Sequence, residues 1–223
     1  MNFFLKLTIA ILITAFVALP GTGQKAEEKI TADSALAELK LGNEHHVSHR
    51  YQHPHETAER QRELSTGQHP HAEVLSCSDS RVPPEIIFDQ GLGDLFVIRV
   101  AGNVATDTEL GSLEYGAEHL QIPLLVVLGH ESCGAVTAAV QGGELKGHIA
   151  ALVDLIKPAV EKSHGLSGDP VANAVRTNVE LVVKQLRASN PLLSELVAHG
   201  KLKIVGAVYS LDTGKVTWLP ESN

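Results

Sequence analysis

The apolar run at residues 124–128, Leu-Leu-Val-Val-Leu, restricts the fold more than any other feature of the chain. Its residues do not alternate with polar ones, so a strand formed here must be covered on both faces, as in a parallel sheet flanked by helices. Neighbouring parallel strands need long crossover connections, which are usually helical. The run therefore predicts an α/β domain with right-handed crossovers.

Strand and helix signals alternate along the rest of the chain, as this fold requires. We expect four parallel strands and one edge strand, at residues 72–76, 94–100, 122–128, 203–209 and 216–219. Helical patterns lie between them, at residues 108–120, 133–141, 149–162 and 171–187. The prediction is a single domain, residues 24–223, with a central, mainly parallel sheet flanked by helices.

The region before the first strand has a polar, helical pattern. An amphipathic helix is predicted from Ser34, Gly42 is expected to interrupt it, and residues 57–64 resume it. These helices carry too little apolar surface to form a core of their own. We therefore expect the N-terminal helices to pack on a partner subunit.

Residues 1–23 have the pattern of a secretory signal peptide, with Lys6 before the apolar run 7–19 and Pro20 after it. The run is shorter than the about 20 residues that a membrane-spanning helix needs. We expect the mature protein to be exported, periplasmic or secreted, without stable membrane association after cleavage. An uncleaved N-terminal anchor is the alternative.

Charge and cysteine content exclude some classes of protein. The formal net charge is −8 and no cluster of lysine and arginine is present, so we expect no nucleic-acid partner. Two cysteines are too few for a disulfide scaffold. In an exported protein two cysteines form a disulfide more often than a metal site, so both alternatives stand at this point.

Two motifs follow two of the predicted strands. Cys77-Ser-Asp79-Ser-Arg81 comes after strand 72–76, and His130-Glu-Ser-Cys133-Gly134 comes after strand 122–128. Because ligands bind at the carboxyl ends of the strands in open parallel sheets, we expect the motifs to meet there. His130 and Cys133 are expected to share a face at the start of a helix.

Cys77, His130 and Cys133 together offer two thiolates and one imidazole, a zinc set that leaves a fourth position for water. Asp79 can act as a hydrogen-bond acceptor that orients a zinc-bound hydroxide, and Arg81 can hold Asp79 in place and keep it charged. Without Arg81, Asp79 could turn onto the zinc as a fourth ligand and close the site. A non-enzymatic disulfide or a closed structural zinc site are the remaining interpretations.

The two motifs, with Asp-Leu-Phe-Val-Ile-Arg-Val-Ala-Gly-Asn from Asp94 and Gly-Ser-Leu-Glu-Tyr-Gly-Ala from Gly111, resemble the β-class carbonic anhydrases over residues 32–218. The resemblance implies one zinc ion per subunit on Cys77, His130 and Cys133, with Asp79 and Arg81 as the catalytic pair. It also implies reversible hydration of carbon dioxide to bicarbonate and a proton. Hydrolysis of carbonyl sulfide or carbon disulfide on the same scaffold is the alternative.

Three more positions match the plant-like members of this family, in which the active site is open. Gln68, Phe96 and Tyr115 stand where those members have pocket residues. The resemblance implies a substrate pocket assembled across a subunit interface, and hence a homodimer or homotetramer. An amide can hydrogen-bond a bicarbonate oxygen, and an aromatic wall keeps a pocket apolar enough for carbon dioxide.

Other features have less specific interpretations. Seven of the twelve histidines lie between His45 and His71, which indicates a solvated polar segment, or alternatively a metal-recruiting or proton-carrying one. Glu131 is a candidate neighbour of the metal ligands or a surface residue. Gly134 is expected to allow a close backbone approach and to donate an N–H group to substrate.

Overall fold

The computed structural model describes residues 30–220. The signal peptide expected at residues 1–23 lies outside the described residues. Within them, no helix is long and apolar enough to cross a membrane.

A five-stranded sheet forms the centre of the domain, as predicted. Its strands are β1 (Ala72–Ser76), β2 (Leu95–Arg99), β3 (Leu124–His130), β4 (Lys203–Tyr209) and β5 (Val216–Trp218). Their order in the sheet is β2-β1-β3-β4-β5, with β5 antiparallel to β4 and the other pairs parallel. All seven residues of β3 are buried, because helices cover both faces of the sheet.

The strand order places a switch point between β1 and β3. The chain leaves β1 toward one edge of the sheet to form β2, and then returns to form β3 on the other side of β1. Crossovers on opposite sides leave a crevice at the carboxyl ends of the two central strands. Cys77 follows β1 directly and His130 ends β3, so the fold brings the two motifs to this crevice.

Eight α-helices are described within residues 30–220. They are α1 (Ala32–Ser48), α2 (Ala58–Glu63), α3 (Pro84–Ile87), α4 (Asp107–Glu114), α5 (Gly134–Gln141), α6 (Ile149–Ser163), α7 (Pro170–Arg187) and α8 (Leu192–Ala198). A π-helical turn, Tyr115–His119, continues α4. The short helices α3 and α8 have no counterpart in the sequence prediction.

Helix α1 passes through Gly42 without a break, so the predicted interruption is wrong. A Cβ atom at position 42 would lie 1.7 Å from the backbone oxygen of Phe88. Glycine is therefore required here for close packing of α1 against the end of α3, and the requirement outweighs glycine's low helix propensity.

The N-terminal helix packs on the sheet of its own chain. Ala35 and Leu39 of α1 are fully buried in the core on one face of the sheet. Leu41 and Val47 of the same helix remain exposed. Contact of the N-terminal helices with a partner subunit stays a prediction.

Candidate metal centre and its surroundings

Three predicted ligands converge at the switch point. The ligand atoms of Cys77, His130 and Cys133 all lie within 4.8 Å of one another, and all three residues are buried. His130 is the last residue of β3, two residues beyond the predicted end of that strand, and Cys133 precedes α5 as its N-cap. The expectation that the two share a helix face is wrong. A tight turn with Ser132 in the left-handed region (φ 51°) brings them together instead.

The ring of His130 is fixed so that one nitrogen faces the other ligands. Its Nδ1 atom lies 2.9 Å from the backbone oxygen of Glu131, to which it can donate a hydrogen bond. Its Nε2 atom is buried and has no hydrogen-bond partner within residues 30–220. A buried polar atom without a partner is costly, and a bound cation would satisfy it. Glu131 thus acts through its backbone carbonyl, while its side chain is exposed.

The two thiols share a negative charge. Their Sγ atoms lie 3.9 Å apart. The hydrogen bond with Cys133 lowers the pKa of Cys77 to about 4, with further help from His130 and the Gly102 N–H, and the same contact raises the pKa of Cys133. A thiolate is the form that binds metal, so the site is prepared for a cation.

This arrangement fits zinc and excludes a disulfide. The Sγ–Sγ distance of 3.9 Å is far longer than a disulfide bond, and both cysteines are free. Two sulfurs bound to one tetrahedral zinc at about 2.3 Å would lie roughly 3.8 Å apart. Two sulfurs and one imidazole nitrogen form a typical zinc donor set with one open position. The interpretation of the cysteines as a disulfide is therefore wrong for this structure.

Asp79 is paired with Arg81. The Nε and Nη2 atoms of Arg81 lie 2.9 and 2.7 Å from the two carboxylate oxygens, and the Arg81 backbone N–H donates to Oδ1 at 3.0 Å. These hydrogen bonds hold the pKa of Asp79 well below its usual range. Its Oδ2 atom lies 3.9 Å from Nε2 of His130, so the carboxylate borders the metal ligands. The role of the pair in catalysis stays a prediction.

Arg99 is a functional candidate that the sequence prediction missed. From the end of β2, its Nε donates to the backbone oxygen of Cys77 at 3.0 Å and its Nη2 to that of Asp79 at 2.6 Å. One guanidinium group thus holds the backbone of the loop that carries a ligand and its neighbouring carboxylate. The signal in the sequence is an arginine at the end of an apolar strand, Leu-Phe-Val-Ile-Arg.

The loop after β2 also contributes to the site. The Gly102 N–H lies 3.3 Å from the sulfur of Cys77, and Asn178 of α7 donates to the Gly102 carbonyl at 2.9 Å. A backbone N–H aimed at sulfur stabilises the thiolate, which is one cause of the lowered pKa of Cys77. Helix α7 therefore supports the metal ligands from the other side of the loop.

The predicted pocket residues do not surround these ligands within one chain. Phe96 and Tyr115 form a ring pair with centroids 6.0 Å apart, and Tyr115 is 46% exposed. Phe96 pairs with Glu73, four residues before Cys77 on β1, so the ring pair lies roughly 13 Å away along the strand. Gln68 is exposed in the loop before β1 and makes no side-chain hydrogen bond within the described chain.

Gly134 does not have the packing role predicted for it. A Cβ atom at this position would meet no protein atom within 4 Å, so no close backbone approach requires glycine. The residue is exposed at the first position of α5. Donation of its N–H group to substrate stays a prediction.

The histidines between positions 45 and 71 do not form a second metal site within residues 30–220. In that part of the chain, Cys77, His130 and Cys133 are the one group of three metal-ligating side chains whose ligand atoms converge. Several pair with single carboxylates: His45 with Asp89 at 2.9 Å, and His55 with Asp94 at 2.7 Å. His46 lies between the hydroxyl groups of Tyr51 and Tyr209. The pattern supports the interpretation as a polar segment.

Comparison with known proteins identifies the family. The sequence profile of the carbonic anhydrase family matches residues 72–216. The chain is 44% identical over 188 residues to carbonic anhydrase 2 of Mycobacterium tuberculosis, covering 82% of this chain and 90% of that protein. It is 32% identical over 168 residues to a carbonic anhydrase of Synechococcus elongatus, covering 69% of this chain and 61% of that protein.

Solved structures agree with the profile. A tetrameric β-carbonic anhydrase of Sordaria macrospora superposes with a TM-score of 0.66 at 27% identity, over 71% of this chain and 85% of that one. The Coccomyxa β-carbonic anhydrase bound to acetazolamide gives a TM-score of 0.65 at 32% identity, over 71% of this chain and 75% of that one. With the Cys-His-Cys cluster at the switch point of a matching sheet, these findings establish that the chain belongs to the β-class carbonic anhydrase family.

Proposed function

We propose that this protein catalyses the reversible hydration of carbon dioxide to bicarbonate and a proton. The observation that carries the proposal is the buried Cys77, His130 and Cys133 cluster, bordered by a carboxylate that Arg81 holds by both oxygens. Membership of the carbonic anhydrase family indicates the reaction, and the set of two sulfurs and one imidazole nitrogen indicates zinc as the metal. Hydration fits a site with three ligands and an open fourth position.

One zinc ion per subunit would be held by Cys77, His130 and Cys133, and it would supply Lewis-acid chemistry that lets water act as a nucleophile near neutral pH. The carbonyl of Glu131 and the Gly102 N–H group orient two of the ligands. These hydrogen bonds keep the donor atoms in place, since hydrogen bonds to metal ligands set the direction and basicity of the ligands.

Asp79 would accept a hydrogen bond from the O–H group of the reacting water and so orient the lone pair of the water oxygen toward carbon dioxide. A carboxylate can do this only while ionised, and the bonds from Arg81 keep Asp79 ionised far into the acid range. The same bonds keep both carboxylate oxygens occupied, which opposes their turning onto the metal. Arg81 is thus a positioning residue for Asp79.

The substrate pocket would be completed by a second subunit. Phe96 is half-buried in β2, an edge strand of the sheet, and Tyr115, which contacts it, is exposed. Phe96 lies roughly 13 Å along the strand from Cys77 of its own chain. A dimer in which each aromatic pair faces the other subunit's metal ligands would give the apolar wall that carbon dioxide needs, with Gln68 as a bicarbonate ligand. A homodimer or homotetramer is therefore part of the proposal.

Export is also proposed, on the sequence of residues 1–23. In an oxidising compartment the two ligand thiols would be protected by the metal they hold. Cellular fractionation with a C-terminal tag would locate the protein. Detection of the tagged, full-length protein in the cytoplasmic fraction would contradict export.

The test of function is stopped-flow carbon dioxide hydration by wild type and by Cys77→Ala. The proposal predicts catalysis by the wild type and loss of both zinc and catalysis in the variant. Undiminished hydration by Cys77→Ala would overturn it.

A further inference from the structure

Glu73 is an acid in the interior of the domain that the proposed reaction does not use. It is the second residue of β1 and is 0% exposed. Neither carboxylate oxygen has a hydrogen-bond partner within residues 30–220. An unpaired ionised carboxylate in an apolar interior is very costly, so the group must be neutral or must disturb its surroundings when it ionises.

Glu73 lies next to one ring of the aromatic pair of the proposed pocket, that of Phe96, which in turn contacts Tyr115. Phe96 is its direct partner across β1 and β2. Gly116 follows Tyr115 in the π-helical turn, and a Cβ atom there would lie 2.4 Å from Oε2 of Glu73 and 3.2 Å from the ring of Phe96. Glycine at position 116 therefore leaves the space that the carboxyl group occupies, beside Phe96 and next in the chain to Tyr115.

No cationic side chain of the surrounding elements pairs with Glu73 within residues 30–220. The charged or titratable side chains of these elements are Arg99 at the end of β2, His130 at the end of β3, Asp107, Glu109 and Glu114 in α4, and Tyr115, Glu118 and His119 in the π-helical turn. Burial raises the pKa of the Glu73 carboxyl well above its ordinary value, and no charged group of the described chain is among the causes. Burial therefore favours the neutral acid over the carboxylate at this position.

We propose that Glu73 is a positioning residue for the reaction: as a neutral carboxylic acid it holds the Phe96–Tyr115 wall in place, and its ionisation displaces that wall. This rests on the proposed function, because it assigns the wall to the substrate pocket. Substrate then binds well only to the protonated form. Above the Glu73 midpoint, the apparent KM rises about tenfold for each pH unit.

The first measurement follows the environment of the Phe96 ring by fluorine NMR and does not depend on enzymatic activity. Full-length protein is labelled with 4-fluorophenylalanine, and the fluorine signals of Phe96 and Phe88 are assigned through their leucine variants. In protein labelled at the carboxyl carbon of glutamate, the Glu73 signal is the one that is missing from Glu73→Gln. Its change with pH gives the midpoint of Glu73 ionisation. We expect the Phe96 signal to move with that midpoint in wild type and to stay constant in Glu73→Gln, while buried Phe88 is the internal control.

The second measurement is the pH profile of KM and kcat for carbon dioxide. In wild type we expect KM to rise at pH values above the midpoint of Glu73 ionisation. Glu73→Gln cannot ionise at this position, so its KM should not show that rise. Glu118→Gln, on the exposed side of the same turn, is the matched control and should keep the wild-type profile. If Glu73→Gln does not fold, Glu73→Met is the second variant without a charge.

The outcomes separate the two proposals. The role of Glu73 is overturned, even if hydration is fast, by a Phe96 fluorine signal that does not change at the midpoint of Glu73 ionisation. A Phe96 signal that shifts equally in Glu73→Gln overturns it as well. Absence of hydration with a Phe96 signal that follows Glu73 overturns the function while the coupling between acid and wall stands.

Discussion

Arg81 binds both carboxylate oxygens of Asp79, with Nε 2.9 Å from Oδ1 and Nη2 2.7 Å from Oδ2. The pair is bidentate, which fixes the plane of the carboxylate as well as its distance. Because Oδ2 lies 3.9 Å from Nε2 of His130, the plane set by Arg81 determines whether Asp79 stands beside the metal ligands or among them.

Replacing Arg81 should therefore lower turnover while zinc stays bound. In Arg81→Ala we expect kcat for carbon dioxide hydration to fall by about a hundredfold, the usual cost of losing a group that orients a reacting centre. Arg176→Ala, which removes an exposed Arg–Glu pair on α7, is the matched control and should retain wild-type kcat. An Arg81→Ala enzyme as fast as the wild type would contradict the role given to this residue.

Arg99 should matter for the site more than its exposed position indicates. Its two hydrogen bonds hold the backbone carbonyls of Cys77 and Asp79. Arg99→Ala should therefore weaken zinc retention by at least about tenfold, the lower end for loss of a group that orients metal ligands. Competition with a chelator measures this. Arg60→Ala removes a comparable bond to the Leu92 carbonyl far from the ligands, and equal zinc loss in both variants would argue against a specific clamp.

Glu73 gives a pH-dependent stability with a defined sign. Its pKa is raised in the folded state, so folding retains a proton that the unfolded chain releases, and stability falls as pH rises from the unfolded toward the folded pKa. Glu73→Gln lacks this loss. Relative to wild type, its free energy of unfolding should increase by up to about 1.4 kcal/mol per pH unit within that window. Urea unfolding at fixed protein concentration measures it, and a pH-independent difference would contradict the assignment.

The two ligand thiols should be protected by zinc and exposed to oxidation without it. Their sulfurs are 3.9 Å apart and would have to approach to about 2.0 Å to bond. We expect two thiols per chain after denaturation of the zinc-loaded protein, and loss of both on air oxidation of chelated protein. A thiol count of zero in freshly purified, zinc-loaded protein would mean that the cysteines are paired as a disulfide.

The strands and the metal ligands could be predicted because their signals are local. The bounds of β1 and β4 follow from short apolar runs between polar residues. The two motifs lie where the apolar runs of β1 and β3 end. Parallel order then forces Cys77 and His130 together at the switch point.

The errors came from contacts that the chain makes over long separations. Gly42 reads as a helix breaker, but the Phe88 carbonyl lies where its side chain would be. In the sequence, Arg99 is only the polar end of an apolar strand, but in the structure it holds the loop after β1. A glutamate in an apolar strand does not by itself predict a role, because the surroundings of the Glu73 carboxyl are set by Phe96 and Gly116, which lie far from it in sequence.

The most direct test of the account is a zinc titration of chelated protein, with the initial rate of carbon dioxide hydration measured by stopped flow at each step. The account predicts a rate that rises in proportion to bound zinc and levels off at one zinc ion per chain. Stoichiometric zinc without hydration, or hydration that does not follow bound zinc, would contradict it.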